Sequence, residues 1–560
     1  MSFLSGVVAR TRRIARPAPR VRVERPAVLP PFFVPTTSRR WRIAKGTLLT
    51  ALVLFCFVYG FFYALFTPYL MAMFTIPLGV LAVLAIWALP DLRHPPTRTM
   101  AALFYAYFIC MLAWPNYLAF AFPGMPWITL MRLTGIPMAF LLLVSLSVSQ
   151  EFRSTLFATI NAIPLLWRLL VAFVVIQFVL VPVSPHPSDS LQKVMLSQVN
   201  WTAVFFISCY FFLKPGRVER FAALFWGLAV GLSLLGVWEH HLGHVPWRDH
   251  IPFFLKIPDE FVDAVLNGSA REAIGVHRVE TIFTTPVGFA EFLALTVPFV
   301  VHFIAGKYNP RIKLLAIASL PLMMYAVNAT DSRSGSVGFF LTFLFYPLAL
   351  GLLRWRRNKA SLVGPAVVLS YPFIFCLAVG AALTVHKLRD RLLGNGANAA
   401  SNQSRSDQWH MGIPKILSHP WGYGSAQSGL VLGYVATGSD MPTIDTYYLR
   451  LLLEYGIIGF TIYFAFIIVA IIYAVRYSIR TTEREQEYNF LLPISIALVN
   501  FIFIKSVFAQ DDNHAIIFMM LGMIVALVHR IKLAENPARD RVAPMATGVP
   551  LLPGLVGVAR

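Results

Sequence analysis

The chain has 560 residues, of which 57% are hydrophobic and only 13% are charged, and its mean hydropathy is +0.67. Soluble proteins typically contain about 45–50% apolar and about 25% charged residues, so this composition excludes most classes of soluble enzyme. The formal net charge is +21, which is strongly basic. The composition therefore predicts a membrane protein with an uneven charge distribution.

The basic excess is concentrated at the N-terminus, where residues 1–45 carry eleven Lys and Arg side chains against one acid, Glu24. Basic arms also bind nucleic acid, but beside a membrane domain such an arm is typical of a cytoplasmic segment attracted to anionic lipid headgroups. It has no compact apolar region before a cleavage site, so a signal peptide is not expected. We expect residues 1–45 to form a cytoplasmic tail without a stable fold.

Apolar runs of bilayer length recur along the chain and predict an all-α, polytopic transmembrane domain over residues 46–530 with about 12–14 spanning helices. The four cysteines all lie inside such runs, where they predict neither disulfides nor a zinc site. The predicted helices are 47–66, 69–90, 99–122, 131–150, 166–183, 195–213, 221–238, 286–305, 314–329, 335–353, 361–384, 454–475, 488–509 and 515–530.

Lys and Arg side chains cluster in alternate loops between these helices, which the positive-inside rule assigns to the cytoplasm. This alternation of basic loops predicts that both the N-terminus and the tail 531–560 are cytoplasmic. Two long loops, 239–285 and 385–453, then lie on the extracytoplasmic side. Long loops in compact proteins tend to be functional. Within the first loop, 252–266 has apolar residues at helical spacing and predicts a helix lying in the membrane interface.

Three segments carry polar motifs in or beside these loops. HRVETIFTTPVGFAEFLAL spans His277 to Leu295, TDSRSG spans Thr330 to Gly335, and HPWGYGSAQSG spans His419 to Gly429. The third segment is preceded by an Arg and a Trp, and it is followed by a polar residue, Tyr-Leu and E-Y-G-I-I-G-F. No P-loop, Rossmann fingerprint or zinc signature is present in the sequence.

The order of these motifs over about residues 270–475 resembles the O-antigen ligase and polysaccharide polymerase superfamily of bacterial membrane proteins. The resemblance implies a C-type glycosyltransferase-like fold. It also implies an enzyme that takes a glycan from an undecaprenyl pyrophosphate carrier and joins it to an acceptor outside the cytoplasm. Neither a metal nor another cofactor is implied.

The sequence departs from the ligase pattern at one informative position. Ligases of this superfamily carry His-Asn before the Tyr-Leu of the last motif, and that His is their proposed acceptor-activating residue, whereas this chain has Ile444-Asp445-Thr446. The departure favours a polymerase, which lengthens exopolysaccharide or O-antigen chains. A ligase or O-oligosaccharyltransferase remains the alternative, because it differs only in its acceptor.

The predicted site follows from the leaving group. A pyrophosphate spreads its negative charge over several oxygens, which the planar, permanently charged guanidinium of Arg matches well. A carboxylate is suited to accept or orient the proton of an acceptor hydroxyl. We therefore predict catalytic roles for Asp445, Arg389 and Arg391, and substrate binding by Arg278, Arg333, Arg405, Trp409, Gly422, Gly424 and Glu291.

Each of these residues also has a purely structural interpretation. The arginines have acidic neighbours, or headgroups within reach, that would serve as ordinary partners. Asp445 is placed to cap the helix that follows it. The two glycines suit backbone turns, and Trp409 suits either a sugar-binding surface or an interfacial aromatic belt. Lys505 is followed by Asp511, Asp512 and His514, which predict an ion pair near the outer surface.

Two other functional classes remain open. A transporter or flippase would show paired, interrupted helices and charges near the bilayer midplane, whereas here the arginines and the long segments lie in loops. A receptor or scaffold would account for the basic tail but not for the two long loops. For the enzyme, the expected partners are the lipid-linked donor and acceptor, membrane lipids, and a chain-length regulator and flippase, without nucleic acid. The expected location is the bacterial inner membrane.

Overall fold

The computed structural model describes residues 95–121, 127–257, 260–267, 277–357, 359–384, 399–435, 442–480 and 486–535, together with six isolated positions before residue 95. Apart from Thr47, these residues belong to one compact unit that begins at Ile76. The predicted tail 1–45, the first two predicted spans except for those six positions, and the end of the C-terminal tail lie outside the described residues. No strand occurs in the described part, where isolated bridges are the only β-pairing.

The first half of the described chain is helical. Its helices are α1 (Thr97–Ala113), α2 (Leu130–Val148), α3 (Gln150–Ile160), α4 (Pro164–Val179), α5 (Pro187–Phe211), α6 (Arg217–Leu242) and α7 (Glu260–Asn267). A π-helical turn, Gln198–Ala203, interrupts α5. The helices α3 and α4 meet at 105°, because Pro164 opens α4 directly after a short turn.

The second half holds the longest helix and the second long loop. Its helices are α8 (Pro286–Ala305), α9 (Pro310–Ala329), α10 (Arg333–Arg357), α11 (Val363–Thr384), α12 (Ala399–Ser418), α13 (Ser428–Leu432), α14 (Tyr447–Arg480), α15 (Leu491–Lys505) and α16 (His514–Glu535). A 3₁₀ turn, Gln486–Phe490, leads into α15.

The fold is that of a polytopic membrane protein. Among the described residues, nine helices are long and apolar enough to span a bilayer, or ten if the bent pair of α3 and α4 is one span. All twelve predicted spans that fall on described residues coincide with helices. The boundaries differ in places: α1 ends at Ala113, because Trp114 is extended and Pro115 follows, and α16 continues five residues past the predicted boundary at 530.

The centre of the bundle is formed by α8, α15 and α16, whose side chains are buried almost all round. α16 packs on α5, and α8 packs on α9, α10 and α15. The outer helices α2 and α9 instead expose large apolar side chains such as Phe140, Leu314 and Leu315. Such an apolar outer surface is costly in water and favourable against lipid chains.

The two long loops contain helices of their own. The first loop holds α7, which covers only the second half of the predicted interfacial helix 252–266; Phe253 to Leu255 form a turn. The second loop contains α12, a 20-residue helix that apolar run length did not predict because its composition is largely polar. α12 packs against the beginning of α14, so the second loop is partly folded onto the bundle.

Candidate functional site

Three of the predicted arginines line a single cavity at one end of the bundle. Arg278 precedes α8, Arg333 begins α10 and Arg405 lies on α12, so three separate segments of the chain supply them. The cavity has a volume of about 640 Å³, and its lining also includes Asp331 and Asn402. We call it the arginine cavity. Three guanidinium groups against one carboxylate make its lining electropositive.

The N-terminal end of α10 forms part of the same wall. Ser332 caps the helix, because its Oγ accepts a hydrogen bond from the backbone N–H of Gly335 at 3.2 Å. Arg333, Ser334 and Ser336 of the first turns then face the cavity. The N-terminal end of a helix carries partial positive charge, so the helix and the arginines both favour an anion at this position.

Arg278 is positioned by a buried carboxylate on α6. Glu239 is fully buried, and its Oε1 lies 3.0 Å from Nε2 of His277 and accepts the N–H of Glu280, also at 3.0 Å. Its Oε2 accepts the N–H of Thr281 at 2.8 Å. The Arg278 Nε then donates to the carbonyl of Thr330 at 3.0 Å. Glu239 therefore holds the side chain that precedes Arg278 and the backbone that follows it, and Arg278 reaches the start of α10.

Contacts between α10 and α12 complete the cavity. Nη2 of Arg333 donates to Oδ1 of Asn402 at 3.0 Å. Asn402 and Arg405 are three residues apart on α12, so they lie on the same face of that helix. α12 thereby closes over the end of α10 and brings Arg405 to the cavity beside Arg333.

Asp445 lies next to the arginine cavity but does not line it. Its Oδ2 accepts a hydrogen bond from Ser404 at 3.1 Å, and its N–H donates to Oε1 of Gln408 at 2.9 Å. Ser404 directly precedes Arg405, so the carboxylate is held one residue from that arginine on α12. The predicted cap does not fit the helix boundary, because α14 begins at Tyr447 and Thr446 is the residue before it.

Glu291 does not line the arginine cavity, and it lies in a buried ion pair. Its Oε1 is 3.1 Å from Nζ of Lys505, and its Oε2 accepts a hydrogen bond from Asn513 at 2.9 Å. Both charged side chains are fully buried. The predicted surface pair of Lys505 with the acids after it is therefore wrong. Removal of one partner from a buried pair is costly, so Glu291 holds α8 to α15.

Gly422 and Gly424 lie against a break in α14 and do not line the arginine cavity. α14 is broken at Gly456, where φ is 66° and ψ is −173°. Gly424 and Tyr423 donate their N–H groups to the carbonyls of Glu454 and Leu453 at 2.9 and 2.8 Å. The turn therefore satisfies backbone groups that the break would otherwise leave unpaired.

Positive φ angles and close packing explain why both positions are glycine. φ is 96° at Gly422 and 95° at Gly424. A Cβ at Gly422 would lie 2.6 Å from the carbonyl oxygen of Glu454, and one at Gly424 would lie 2.9 Å from Cβ of Ser184. The structure thus gives this motif a packing role.

Trp409 contributes to an apolar cluster between α12, α13 and α14. It is half-buried against a set of buried aliphatic side chains, which are Ile416, Leu432, Leu449 and Leu453. It does not line the arginine cavity. This position favours packing of α12 onto α14 over contact with a sugar in that cavity.

Arg389 and Arg391 lie outside the described residues, so their predicted catalytic roles stay predictions. Among the described residues, no group of three or more His, Cys, Asp and Glu side chains is placed to hold a metal ion.

A network of charged residues near the site was missed at the sequence level. Nη2 of Arg450 lies 3.0 Å from Oδ2 of Asp511, which also accepts from Lys193 at 2.6 Å, and Nε of Arg450 lies 3.1 Å from Oε1 of Glu454. Burial alone would raise the pKa of the Asp511 carboxyl, but Arg450 and Lys193 hold it well below its usual range. The sequence did carry a signal for this network, because Arg450 and Glu454 are opposite charges four residues apart in an apolar helix.

These features define an all-helical, multi-pass membrane protein with an electropositive cavity at one end of its bundle. Residues 317–464, about a quarter of the chain, match the model of a family described as O-Antigen ligase. The match confirms the resemblance to the O-antigen ligase and polymerase superfamily and supports a ligase or polymerase type of role in glycan assembly. It includes Arg333, Arg405 and Asp445 but not Arg278. No curated protein matches the chain.

Proposed function

We propose that the protein is a polysaccharide polymerase that joins undecaprenyl-pyrophosphate-linked oligosaccharide repeats on the extracytoplasmic side of the bacterial inner membrane. The observation that carries the proposal is the convergence of Arg278, Arg333 and Arg405 on one cavity at the N-terminal end of α10. Pyrophosphate carries several anionic oxygens, and three arginines with a helix N-terminus offer it many charge-assisted hydrogen bonds.

The proposed reaction is a direct displacement. A hydroxyl oxygen of the acceptor repeat attacks the anomeric carbon of the donor glycan, and the bond from that carbon to the pyrophosphate oxygen breaks with inversion. The arginines stabilise the negative charge that develops on the leaving pyrophosphate. Undecaprenyl pyrophosphate leaves, and the lengthened glycan stays on the acceptor's carrier.

Asp445 is the proposed acceptor of the proton. Its carboxylate is half-buried and is held by Ser404 and Gln408 beside Arg405. A positioned carboxylate takes the hydroxyl proton as the new bond forms, or orients the hydroxyl for attack. We expect neither a metal nor another cofactor in this step.

The choice of polymerase over ligase rests on this same position. A ligase would be expected to carry His-Asn where this chain has Asp445-Thr446. The alternative function is a ligase or O-oligosaccharyltransferase, which would move the finished glycan to a different acceptor. A transporter or flippase is less consistent with arginines gathered at a bundle end. Both termini are expected in the cytoplasm, and a flippase and a chain-length regulator are expected partners.

The test is the fate of lipid-linked glycan in a deletion strain. The strain is complemented with the wild-type chain, with Arg333→Ala, or with Arg354→Ala as a matched control. Arg354 is an exposed arginine near the opposite end of α10 and lies outside the arginine cavity. Expression and membrane insertion are checked for each variant, and the glycans are separated by length and by the presence of the carrier.

The expected result is that single lipid-linked repeats accumulate in the deletion strain and with Arg333→Ala, while wild type and Arg354→Ala make full-length polymer. Full-length polymer that remains on its carrier in the deletion strain would identify a ligase instead. Repeats trapped on the cytoplasmic face would overturn both functions in favour of a flippase.

A further inference from the structure

A second polar cavity lies at the same end of the bundle. It has a volume of about 440 Å³ and lies between the start of α2, the middle of α5 and the loop before α16. We call it the indole cavity, because Trp127 and Trp201 line it. Its volume falls within the range of roughly 300–1,000 Å³ that is usual for small-ligand pockets.

The two cavities share a wall. Thr284 and Asp511 line the indole cavity, while Val287 and Val507 line the arginine cavity. Two short segments, 284–287 and 507–511, therefore pass from one cavity to the other. Hydrogen bonds join them, since Oγ1 of Thr284 lies 3.0 Å from Oε1 of Gln510.

The buried ion pair of Glu291 and Lys505 holds the segments of this shared wall in place. Nζ of Lys505 donates to the carbonyl of Gln510 at 2.6 Å and lies 3.1 Å from Oε1 of Glu291. Asn513 donates to the carbonyl of Gly288 at 2.9 Å, which ties the start of α16 to α8. The wall therefore keeps the two cavities separate and fixes the spacing between them.

The charge of the indole cavity differs from that of the arginine cavity. Its lining has two cations, Arg132 and Lys193, and two carboxylates, Asp511 and Asp512. Lys193 pairs with Asp511 at 2.6 Å. A balanced lining does not favour a polyanion such as pyrophosphate, and its polar side chains do not favour a lipid tail. It fits an uncharged ligand rich in hydroxyl groups.

The remaining side chains match the two surfaces of a sugar ring. The half-buried indole of Trp127 offers a flat apolar ring with a negative quadrupole, which suits the C–H face of a pyranose, whereas the indole of Trp201 is buried and already stacks on other aromatic rings. Asn116 and Asn200 offer amide groups that both donate and accept hydrogen bonds. Among the described residues, Asn116 makes no side-chain hydrogen bond, and the amide of Asn200 is paired only through its oxygen, which accepts from Tyr107 at 3.2 Å. Its amide nitrogen is therefore available to a hydroxyl.

We infer that the indole cavity is a saccharide-binding subsite, which holds a sugar of the glycan at a distance from the bond being made while the pyrophosphate occupies the arginine cavity. This inference rests on the proposed function and deepens it. In this arrangement the indole cavity binds hydroxyl groups at one end of a repeat of several sugars. The arginine cavity, on the other side of the shared wall, binds the anionic oxygens at the other end.

The test measures binding of a lipid-free sugar to the full-length protein in nanodiscs. The probe is the oligosaccharide repeat released from its carrier by mild acid, and saturation-transfer NMR gives its dissociation constant. The variants are Trp127→Ala, Trp127→Phe and Asn116→Ala. Trp238→Ala is the matched control, because Trp238 lies on α6, is 57% exposed and lines neither cavity. Thermal unfolding confirms that each variant is folded.

Wild type and Trp238→Ala should bind the repeat equally. Trp127→Ala should weaken binding about tenfold, which corresponds to ~1.4 kcal/mol. Trp127→Phe keeps an aromatic face and should remain within about threefold of wild type. Asn116→Ala should weaken binding less than Trp127→Ala. Inorganic pyrophosphate should not displace the sugar.

Three outcomes would overturn the inference: no binding to the folded wild type, equal binding by Trp127→Ala, or displacement of the sugar by pyrophosphate. Trp127 would then be an interfacial anchor, or the sugar would lie in the arginine cavity. The proposed function can fail independently of this inference. If the deletion strain accumulates no lipid-linked repeats but the protein still binds the repeat through Trp127, the subsite stands and the polymerase does not.

Discussion

The second long loop contains two polar segments, α12 and the glycine turn after it, and they have different roles in the structure. α12 brings Arg405 to the arginine cavity and holds Asp445 beside it through Ser404. The turn with Gly422 and Gly424 instead packs against the break at Gly456 and donates hydrogen bonds to the carbonyls that the break leaves without a helical partner. A polar segment in a loop can therefore supply residues to a candidate site, or it can pair the backbone groups of an irregular helix. Only the tertiary contacts separate the two.

The largest effect should come from Arg405→Ala. Loss of one preorganised donor to a developing anion typically costs about 10²–10³ in rate, so polymer synthesis in isolated membranes should fall by about that factor. Arg405→Lys should restore little, because a single ammonium group does not reproduce the planar fork. The measurement is the initial rate of chain lengthening from labelled lipid-linked repeats.

His410→Ala is the matched control for Arg405→Ala. His410 is exposed on the same helix, five residues away, and does not line the arginine cavity. It should keep the wild-type rate. A similar loss of rate in both variants, with normal expression, would mean that α12 acts through its fold and that Arg405 has no direct role with the leaving group.

The next effect should come from Asp445→Asn. The amide keeps the size of the side chain and its contact with Ser404, but it does not accept a proton. Since a positioned base contributes about 10²–10⁴ in rate, we expect a fall of about a hundredfold in the rate at saturating substrate. The Michaelis constant for the repeat should change little.

Asp445→Glu distinguishes a loss of proton transfer from a loss of folding. It retains a carboxylate on a longer side chain and should recover part of the rate. A full rate in Asp445→Asn would show that the side chain only orients the acceptor hydroxyl, and it would remove Asp445 from the proton-transfer step.

Sequence reasoning predicted most helices of the described residues and the three arginines that line one cavity, because apolar run length and residue type are local properties of the sequence. Apolar run length predicts helices such as α8 and α16 directly, and arginines in the loops beside apolar helices need a counter-charge. The pairing of Glu291 with Lys505 was not predicted, since the partners are 214 residues apart. Glu239, which positions Arg278, was missed for the same reason: its hydrogen bonds form only when α6 packs beside α8.

A substitution in the turn with Gly422 and Gly424 should lower the stability of the protein and leave the rate of polymer synthesis per folded molecule unchanged. Gly422→Ala places a Cβ 2.6 Å from the carbonyl oxygen of Glu454 in a residue with positive φ. Such strain costs about 1–3 kcal/mol, so the thermal unfolding temperature and the yield should fall. The rate of polymer synthesis per folded molecule should stay near that of wild type.

Gly227→Ala serves as the comparison for Gly422→Ala. Gly227 lies within α6, and nothing comes within 4 Å of a Cβ built there. Alanine favours the helix by about 1 kcal/mol over glycine, so this variant should be neutral or slightly stabilised. A stable Gly422→Ala protein with a reduced rate would contradict the packing role and return this turn to the substrate site.

The smallest effect should come from Trp409→Phe, which tests the border between the two segments. Trp409 packs in the apolar cluster with Leu432 and Leu449, and phenylalanine keeps most of that burial. A conservative change of this kind in an apolar cluster usually costs less than about 1.5 kcal/mol, and we expect little change in the rate of chain lengthening. Trp421→Phe is the comparison, because that indole is 67% exposed and contributes little to packing. A fall in rate with unchanged stability in Trp409→Phe alone would show that its indole contacts the glycan, and α12 would then carry a sugar contact as well as Arg405.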